Sequence, residues 1–305
     1  MKNMSPSYSS TLIFLLVSIL ILSCFAQVPP NNTFKLVNEG ELGPYVVEYR
    51  ADYRVLDVFN NPFQLCFYNT TPNAYTLALR MGTVRSELRM RWVWEANRGR
   101  PVRDGATFEL RQDGNLVLAD VDGRVAWQSG TPNKGVVGFK LLPNGNMVLH
   151  DTKGNFVWQS FDYPTDTLLV DQSLRLSGPR KLVSRASEAK NANGPYTMIL
   201  EPNRLGFYNQ TKNSGRPILY HDTSKWFSVG KSSLEEVKFN AKTQTLKWEY
   251  KVAKSSKLGA HVLAQPKFNT TLTYLRLEID GNLKTYTFYS DAEENFHWGE
   301  SFKLF

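Results

Sequence analysis

Residues 110–129 carry the sequence LRQDGNLVLADVDGRVAWQS, which returns at residues 141–160 as LLPNGNMVLHDTKGNFVWQS. The two copies are identical at 10 of 20 positions without a gap, and every matched pair is 31 residues apart. Repeats with a period of about 20–50 residues are typical of folds built from several copies of one small unit. We therefore expect each copy to form one such unit.

Each copy predicts two short strands separated by turns. Asp-Gly at residues 113–114 and Asn-Gly at residues 144–145 favour tight turns, because glycine adopts a positive φ without a steric clash. The sequences NLVL and NMVL that follow have the composition of strands. The second strand ends on Trp127 in one copy and on Trp158 in the other. A single small sheet cannot bury an indole, so we expect more than two such sheets to enclose these tryptophans in a common core.

The repeat resembles the bulb-type (monocot mannose-binding, curculin-like) lectins, in which each of three sheets carries Gln-x-Asp-x-Asn-x-Val-x-Tyr and then a core Trp. WVWEANRGRPV (92–102) and WQSFDYPTDTLL (158–169) strengthen the resemblance, and the second is similar to the closing segment of such domains in S-locus glycoproteins. The chain most resembles the epidermis-specific secreted glycoproteins of plants. The resemblance implies an all-β fold of the β-prism II type, with three small antiparallel sheets around a pseudo-threefold axis and two such domains in tandem.

The chain is expected to contain a leader and two lectin domains. Residues 1–26 have the basic start, apolar run and small residues before the cleavage site that define a secretory signal peptide. Residues 27–44 are interpreted as a lead-in and residues 45–187 as the first bulb-type lectin domain. The polar segment EAKNANG at residues 188–194 is interpreted as a linker. Residues 195–305 then form a degenerate second bulb-type lectin domain.

Weaker signals predict the remaining sheets. In the first domain, residues 63–68 and 75–80 predict a hairpin over the turn at residues 69–73, which provides the third sheet. In the second domain, residues 277–283 (LEIDGNL) hold a decayed third copy of the repeat, with Trp298 as its expected core indole.

The mannose motif survives only in part. The resemblance implies that Asp and Asn contact the axial 2-hydroxyl of the sugar, Gln the 3-hydroxyl and Tyr the 4-hydroxyl, while Val packs against ring carbons. The motif positions are occupied by Arg111, Asp113, Asn115, Val117 and Ala119 in the first copy, by Leu142, Asn144, Asn146, Val148 and His150 in the second, and by Glu278, Asp280, Asn282, Lys284 and Tyr286 in the third. No copy keeps the whole set, and a missing polar partner leaves a desolvated group.

Three interpretations of this degraded motif stay open. The first is classical mannose recognition. The second is binding of another glycan, with Arg111 or His150 as replacement contacts. The third is a scaffold that has lost sugar binding and acts as a cell-wall or protein-contact module. The third is physically sufficient, because turn and strand formation alone would retain Asp113, Asn115 and Val117.

Catalysis is disfavoured by the sequence. No pair of histidines has the spacing of metal ligands, and neither a nucleophile elbow nor a phosphate-binding loop occurs. We therefore expect a non-enzymatic protein without a metal or cofactor. An enzyme acting on cell-wall polysaccharide is the remote alternative, since two carboxylates distant in sequence can meet in space.

Secretion sets the expectations for thiols and glycans. Cys24 leaves with the leader, so Cys66 is the one remaining thiol and is expected in the core. An intermolecular disulfide, and with it a homo-oligomer, stays open. Sequons in a secreted chain mark exposed loops. They begin at Asn31, Asn69, Asn209 and Asn269.

The positive charge predicts a partner outside the cell. Removal of Lys2 with the leader takes the formal net charge from +8 to +7. Basic clusters at residues 85–91, 98–103 and 251–257 suggest electrostatic association with acidic wall polysaccharide such as pectin, rather than with nucleic acid. No stretch after the leader is apolar enough to span a membrane. The expected location is therefore extracellular, in the cell wall or apoplast.

Overall fold

The computed structural model describes residues 27–82, 90–210, 215–242, 244–266, 272–290 and 296–305. These residues form six small antiparallel sheets, which confirms the predicted all-β class. Short 3₁₀ turns lie at Pro30–Asn32, Glu48–Arg50, Ser160–Asp162 and Ser224–Trp226. Within the described part of the chain, no helix is long and apolar enough to cross a membrane. The predicted signal peptide lies outside the described residues.

Three of the sheets form what we call the first half. Their strands are β1 (Phe34–Val37), β2 (Asp52–Asn60), β3 (Phe63–Asn69), β4 (Thr76–Met81), β5 (Arg91–Glu95), β6 (Thr107–Leu110), β7 (Leu116–Ala119), β8 (Val125–Gln128), β9 (Gly138–Leu141), β10 (Met147–His150) and β11 (Phe156–Gln159). The strand orders are β1-β6-β7-β8, β2-β3-β4-β5 and β11-β10-β9. The two repeat copies form the hairpins β7–β8 and β10–β11, and the hairpin predicted over residues 63–80 is β3–β4.

One tryptophan from each first-half sheet meets the other two at a common centre. Trp127 and Trp158 lie with ring centroids 5.6 Å apart, and each contacts Trp94 of β5, at 5.9 and 6.3 Å. All three contacts are edge-to-face, the geometry that aromatic quadrupoles favour. The triangle explains how sheets of three or four short strands bury indoles that none could bury alone.

The lead-in is part of the first half rather than a tail before it. Strand β1 pairs with β6 over four residues, from Phe34↔Leu110 to Val37↔Thr107. Val28 is 1% exposed and belongs to the first-half core. The interpretation of residues 27–44 as a mere lead-in is therefore corrected, because the alternating apolar residues of this short strand give too weak a signal by themselves.

The other three sheets form the second half. Their strands are β12 (Thr167–Leu169), β13 (Ser173–Arg175), β14 (Lys181–Arg185), β15 (Asn193–Glu201), β16 (Arg204–Asn209), β17 (Ile218–Asp222), β18 (Leu234–Lys242), β19 (Thr245–Val252), β20 (Leu258–Ala264), β21 (Thr273–Leu277), β22 (Leu283–Ser290) and β23 (Phe296–Lys303). The strand orders are β12-β21-β22-β23, β13-β18-β19-β20 and β14-β15-β16-β17.

The segment 167–185 lays one short strand on each second-half sheet. Strand β12 pairs with β21, β13 with β18 and β14 with β15, all antiparallel. The expected boundary, with residues 45–187 in the first domain, therefore assigns these three strands to the wrong set of sheets. Strands of three to five residues carry little periodicity, and their partners lie as far as about a hundred residues along the chain, so the sequence does not reveal the pairing.

The second half has its own apolar core around Trp248. This indole is fully buried and packs edge-to-face on Phe239, with ring centroids 5.9 Å apart. Trp298, the indole expected there, is instead partly buried against the first-half core through Tyr274, at 5.1 Å. The decayed copy therefore faces the junction between the halves.

A buried ionic network joins the two halves. Arg185 of β14 donates to the Tyr68 hydroxyl at 2.6 Å and to Glu95 at 3.2 Å. Arg98 donates to Glu95 at 2.5 Å and to Asp166 at 2.8 Å. Each charge is nearly excluded from solvent and is compensated by a partner. The predicted linker is also held, because Gly99 donates its backbone N–H to the carbonyl oxygen of residue 191.

Candidate carbohydrate sites

The motif asparagine of the first copy is used inside the protein. Asn115 is 5% exposed. Its Oδ1 accepts hydrogen bonds from the backbone N–H groups of Gly130 and Thr131, at 3.1 and 3.2 Å. Its Nδ2 donates to Gln128 Oε1 at 3.0 Å. The side chain thereby ties the turn before β7 to the chain that leaves β8.

The asparagines of the other two copies do the same. Asn146 donates to Gln159 Oε1 at 2.8 Å and accepts from the backbone N–H of Phe161 at 3.2 Å. Asn282 accepts from the backbone N–H of Leu304 at 3.0 Å. The amide that the resemblance gives to the sugar 2-hydroxyl is thus occupied by the protein in all three copies, so its retention has a structural cause.

The motif residue two positions before each asparagine closes the turn. The side-chain oxygen of Asp113, Asn144 or Asp280 accepts the asparagine backbone N–H at 2.8, 3.2 and 2.8 Å, respectively. The glycine between the two residues has φ near +84° in every copy, which an L side chain rarely adopts. This Asx turn is sufficient reason for the Asp/Asn-Gly-Asn pattern.

The apolar floor of the motif is covered by the protein. Val117 is 0% and Val148 is 1% exposed, so neither presents a surface to sugar ring carbons. In the third copy the position is Lys284, which pairs with Glu300 at 2.8 Å. Ala119 is 7% exposed and replaces the tyrosine of the motif.

The two replacement contacts are already engaged. Arg111 is exposed and pairs with Glu109 on its own sheet. His150 lies over Gly138, where a Cβ would come 3.0 Å from its Nε2, and its Nδ1 is 3.2 Å from the carbonyl oxygen of Asp151. Arg111 follows β6 and His150 ends β10, so the two residues belong to different sheets.

The third copy differs because it faces a cleft between the halves. We call this space, with a volume of about 660 Å³, the junction cleft. Its first-half wall contains Glu48, Tyr49 and Arg91, and its second-half wall contains Arg276, Glu278 and Tyr286. Of these six, the motif identifies only Glu278 and Tyr286. The others carry no local signal, because their proximity depends on how the halves meet.

The second-half wall of the junction cleft places a tyrosine beside a carboxyl group. Tyr286 Oη donates to Glu278 Oε1 at 2.9 Å, and the Tyr286 ring stacks on Tyr274 with centroids 5.2 Å apart. Burial raises the pKa of the Glu278 carboxyl above its ordinary value, although Arg276 and the Tyr286 hydrogen bond oppose this. Burial and the nearby Glu278 raise the pKa of Tyr286 as well. The phenol therefore stays protonated and remains a donor at neutral pH.

Arg276 of the second-half wall is hydrogen-bonded to the first-half wall, where two residues have unusual backbone dihedral angles. Arg276 Nη1 lies 2.5 Å from Glu48 Oε1 and 3.3 Å from the Tyr49 hydroxyl. Tyr49 has φ 63° and ψ 14°, and Arg50 has φ 51°. Non-glycine residues in this left-handed region cost roughly 1–3 kcal/mol each and concentrate at functional sites. The Tyr49 ring is fixed from one side by the Arg185 guanidinium, 4.4 Å from its centroid.

The sequons and the thiol differ in exposure. Asn31 is exposed, whereas Asn69 ends β3 and is 5% exposed, so the exposed turn expected for Asn69 is not found. Asn209 is half-buried at the end of β16, and Asn269 lies outside the described residues. Cys66 is buried with no exposed surface, as a core position requires. An intermolecular disulfide would need this strand to open.

The described residues do not form a metal-binding cluster. No group of three or more histidine, cysteine, aspartate and glutamate side chains in that part of the chain could hold a metal ion. In the basic cluster at residues 98–103, Arg98 pairs with Glu95, and Arg103 pairs with Asp120 at 3.0 Å. Most of the cluster at residues 85–91 lies outside the described residues.

Comparison with known proteins agrees with the fold and the repeats. The D-mannose binding lectin family matches residues 91–189, so the chain contains a bulb-type lectin domain. The epidermis-specific secreted glycoprotein EP1 of Daucus carota is 55% identical over 289 residues, which cover 92% of this chain and 74% of that protein. EP1-like glycoprotein 4 of Arabidopsis thaliana is 48% identical and covers 98% of this chain and 68% of its own length. The chain therefore belongs to the family of EP1-like secreted glycoproteins.

A solved structure is also similar to the chain. The fetuin-binding two-domain lectin of Scilla campanulata is aligned over 89% of this chain and all of its own, at 15% identity and a TM-score of 0.24. At that score the likeness adds nothing to the strand pairing described above.

Proposed function

We propose that this lectin-like secreted glycoprotein is a non-enzymatic protein of the plant cell wall or apoplast that binds a glycan without the classical mannose contacts. One observation carries the proposal: the motif asparagine of all three copies is hydrogen-bonded within the protein, as at Asn115, while the polar junction cleft beside the third copy stays open. Membership of a lectin-like family supports carbohydrate as the ligand class.

The test is a glycan array probed with residues 27–305 produced by secretion. We expect binding to a plant-type oligosaccharide that free methyl α-mannoside does not inhibit. Asp113→Asn, which keeps the turn oxygen and removes the charge, should leave that binding unchanged. Inhibition by methyl α-mannoside together with loss of binding in Asp113→Asn would show that the first mannose site is active and would contradict the proposal.

The runner-up is a scaffold that holds acidic polysaccharide only by charge. Of the three basic clusters, residues 251–257 keep exposed lysines: Lys251 pairs loosely with Glu236 at 3.5 Å, whereas Lys254 and Lys257 have no carboxylate partner among the described residues. Attraction between exposed charges is screened over about 8–10 Å. This function therefore predicts retention on de-esterified pectin that is released by salt and is weakened in the double variant Lys254→Gln/Lys257→Gln.

A further inference from the structure

A second pocket lies where the turn between β2 and β3 meets the turn that follows β12. Its volume is about 490 Å³, and pockets that hold small molecules measure about 300–1,000 Å³. The described residues that line it and those that line the junction cleft have no member in common. We call it the apolar pocket and define it by Pro62, Phe63, Met81, Leu169, Val170 and Asp171.

The floor of the apolar pocket is made of side chains from both halves. Phe63 of β3 and Met81 of β4 come from the first half and Leu169 of β12 comes from the second, and each is at most 4% exposed. Gly145 packs directly on this floor, since a Cβ there would come 2.6 Å from Leu169 Cδ1 and 2.7 Å from Phe63 Cε1. The backbone of the repeat turn therefore holds two of the three floor side chains in place.

A tight turn places Val170 and Asp171 at the pocket. The backbone N–H of Gln172 donates to the carbonyl oxygen of Leu169 at 3.1 Å, and Gln172 Oε1 accepts the backbone N–H of Leu169 at 3.0 Å. Gln172 is 3% exposed, and its Nε2 donates to the carbonyl oxygen of Phe161 at 3.0 Å. These bonds fix the turn, so a ligand need not order this side of the pocket.

The polar groups of the apolar pocket lie at its rim. Asn61, Asn144 and Asp171 are exposed there, and Asp171 carries the one charge among the described lining residues. A carboxylate accepts hydrogen bonds and donates none, so it suits a ligand that carries a donor and repels an anion. A single exposed carboxylate contributes little to holding a cation. The rim therefore favours a neutral hydroxyl group.

We infer that the apolar pocket binds a small neutral molecule with an apolar body and a hydroxyl head. The body packs on Phe63, Met81 and Leu169, and the hydroxyl donates to the carboxylate of Asp171. Burial of the apolar body supplies most of the affinity. The inference goes beyond the proposed function and does not rest on it, because a sugar ring would leave several hydroxyl groups without partners against this floor.

Two probes with a similar body and different heads test the ligand class. Thymol and cuminate both contain an isopropylphenyl group, and thymol carries a hydroxyl where cuminate carries a carboxylate. Each is titrated by calorimetry into the secreted protein, with and without methyl α-mannoside. In parallel, hydrogen exchange of the unmodified protein is measured with and without thymol. The exchange measurement locates the site without any variant, so it does not depend on how variants fold.

Three variants test the location of the site. Val170→Trp puts a larger side chain into the apolar pocket. Val262→Trp is its matched control, because Val262 is 50% exposed on β20 and does not line the pocket. Asp171→Asn removes the charge at the rim and keeps the turn, since Asp171 has φ 69° and asparagine accepts a positive φ as readily as aspartate.

Thymol should bind saturably, and cuminate should bind about tenfold more weakly or not at all, because its carboxylate meets that of Asp171. Val170→Trp should abolish thymol binding and Val262→Trp should leave it unchanged. Asp171→Asn should weaken thymol about fivefold and narrow its advantage over cuminate, as loss of a hydrogen bond to a charged acceptor predicts. Thymol should protect residues 169–173 from exchange, and not residues 258–264.

Three results would overturn the inference. No saturable binding of thymol, or binding that Val170→Trp leaves intact without protection at residues 169–173, removes the site. Cuminate binding as tightly as thymol removes the assignment of a hydroxyl ligand. Displacement of thymol by methyl α-mannoside makes the pocket part of a sugar site. The first two results leave the proposed glycan binding untouched, because the glycan array measures that binding separately.

Discussion

At the scale of single residues, the hydrogen bonds of the motif asparagines show what these residues do in the protein. Asn115 looks like a sugar ligand in sequence, yet it bonds the backbone of Gly130 and Thr131 and the side chain of Gln128. The same constraint acts on Asn146. A motif residue can therefore persist because the turn needs it, after other members of the motif have changed.

Asn115→Ala should lower the free energy of unfolding by about 2–3 kcal/mol, because buried backbone donors lose their acceptor. Asn155→Ala is the matched control: Asn155 also bonds a nearby side chain, Asp151, at 3.0 Å, but it is exposed. The control should change stability by less than about 0.5 kcal/mol. Urea denaturation of both variants measures the difference, and equal losses would show that Asn115 is not a structural tie.

At the scale of the hairpin, Asp120 closes the turn between β7 and β8. Its Oδ1 accepts the backbone N–H groups of Arg103 and Val121, each at 2.9 Å, and its Oδ2 accepts from Arg124 at 2.9 Å. Burial opposes ionisation, but these hydrogen bonds outweigh it and lower the pKa of Asp120 to about 2. The matching Asp151 of the second copy also has a lowered pKa, with Asn155 as the main donor.

The depressed pKa of Asp120 makes the hairpin acid-sensitive. Because the folded pKa lies below the ordinary value near 3.8, the stabilisation is complete above about pH 4 and is lost as the pH falls towards about 2. Asp120→Asn should destabilise the protein at pH 7 and flatten the dependence of unfolding free energy on pH in this window. Asp122→Asn, at the exposed partner of Arg103, is the control and should keep the slope. An unchanged slope in Asp120→Asn would refute the assignment.

At the scale of the whole molecule, the halves are joined by strands and by buried charge. Segment 167–185 leaves the first half and adds a strand to each second-half sheet. Arg185 then reaches back to Tyr68 and Glu95. Neither half keeps its full set of partners without the other, so we expect them to unfold together.

Arg185→Met should destabilise the protein by about 3–5 kcal/mol, because the buried Glu95 loses one of its two arginine partners. Arg204→Met is the matched control, since Arg204 pairs with Glu201 and Asp222 while 25% exposed and should cost about 1 kcal/mol or less. Differential scanning calorimetry should show one transition for the unmodified protein. Two separate transitions, or equal effects of the two variants, would contradict this coupling.

The parts of this protein that depend on neighbouring residues can be predicted from the sequence. The turns at residues 113–114 and 144–145, the hairpins β7–β8 and β10–β11, and the need for a shared indole core follow from glycine conformations, strand composition and the size of Trp127 and Trp158. Each of these features depends on about 20 consecutive residues, so each can be predicted from the sequence of the repeat.

Four features depend on the three-dimensional packing: the pairing of segment 167–185, the third indole of the triangle, the internal hydrogen bonds of Asn115 and the walls of the junction cleft. Strand β12 has three residues and Glu48 has no motif around it, so neither carries a signal of its partner. Their positions depend on which distant surfaces bury apolar area and compensate charge together. The free energy of this burial and charge compensation comes from contacts between residues far apart in the chain. These contacts can be identified only from the packed structure.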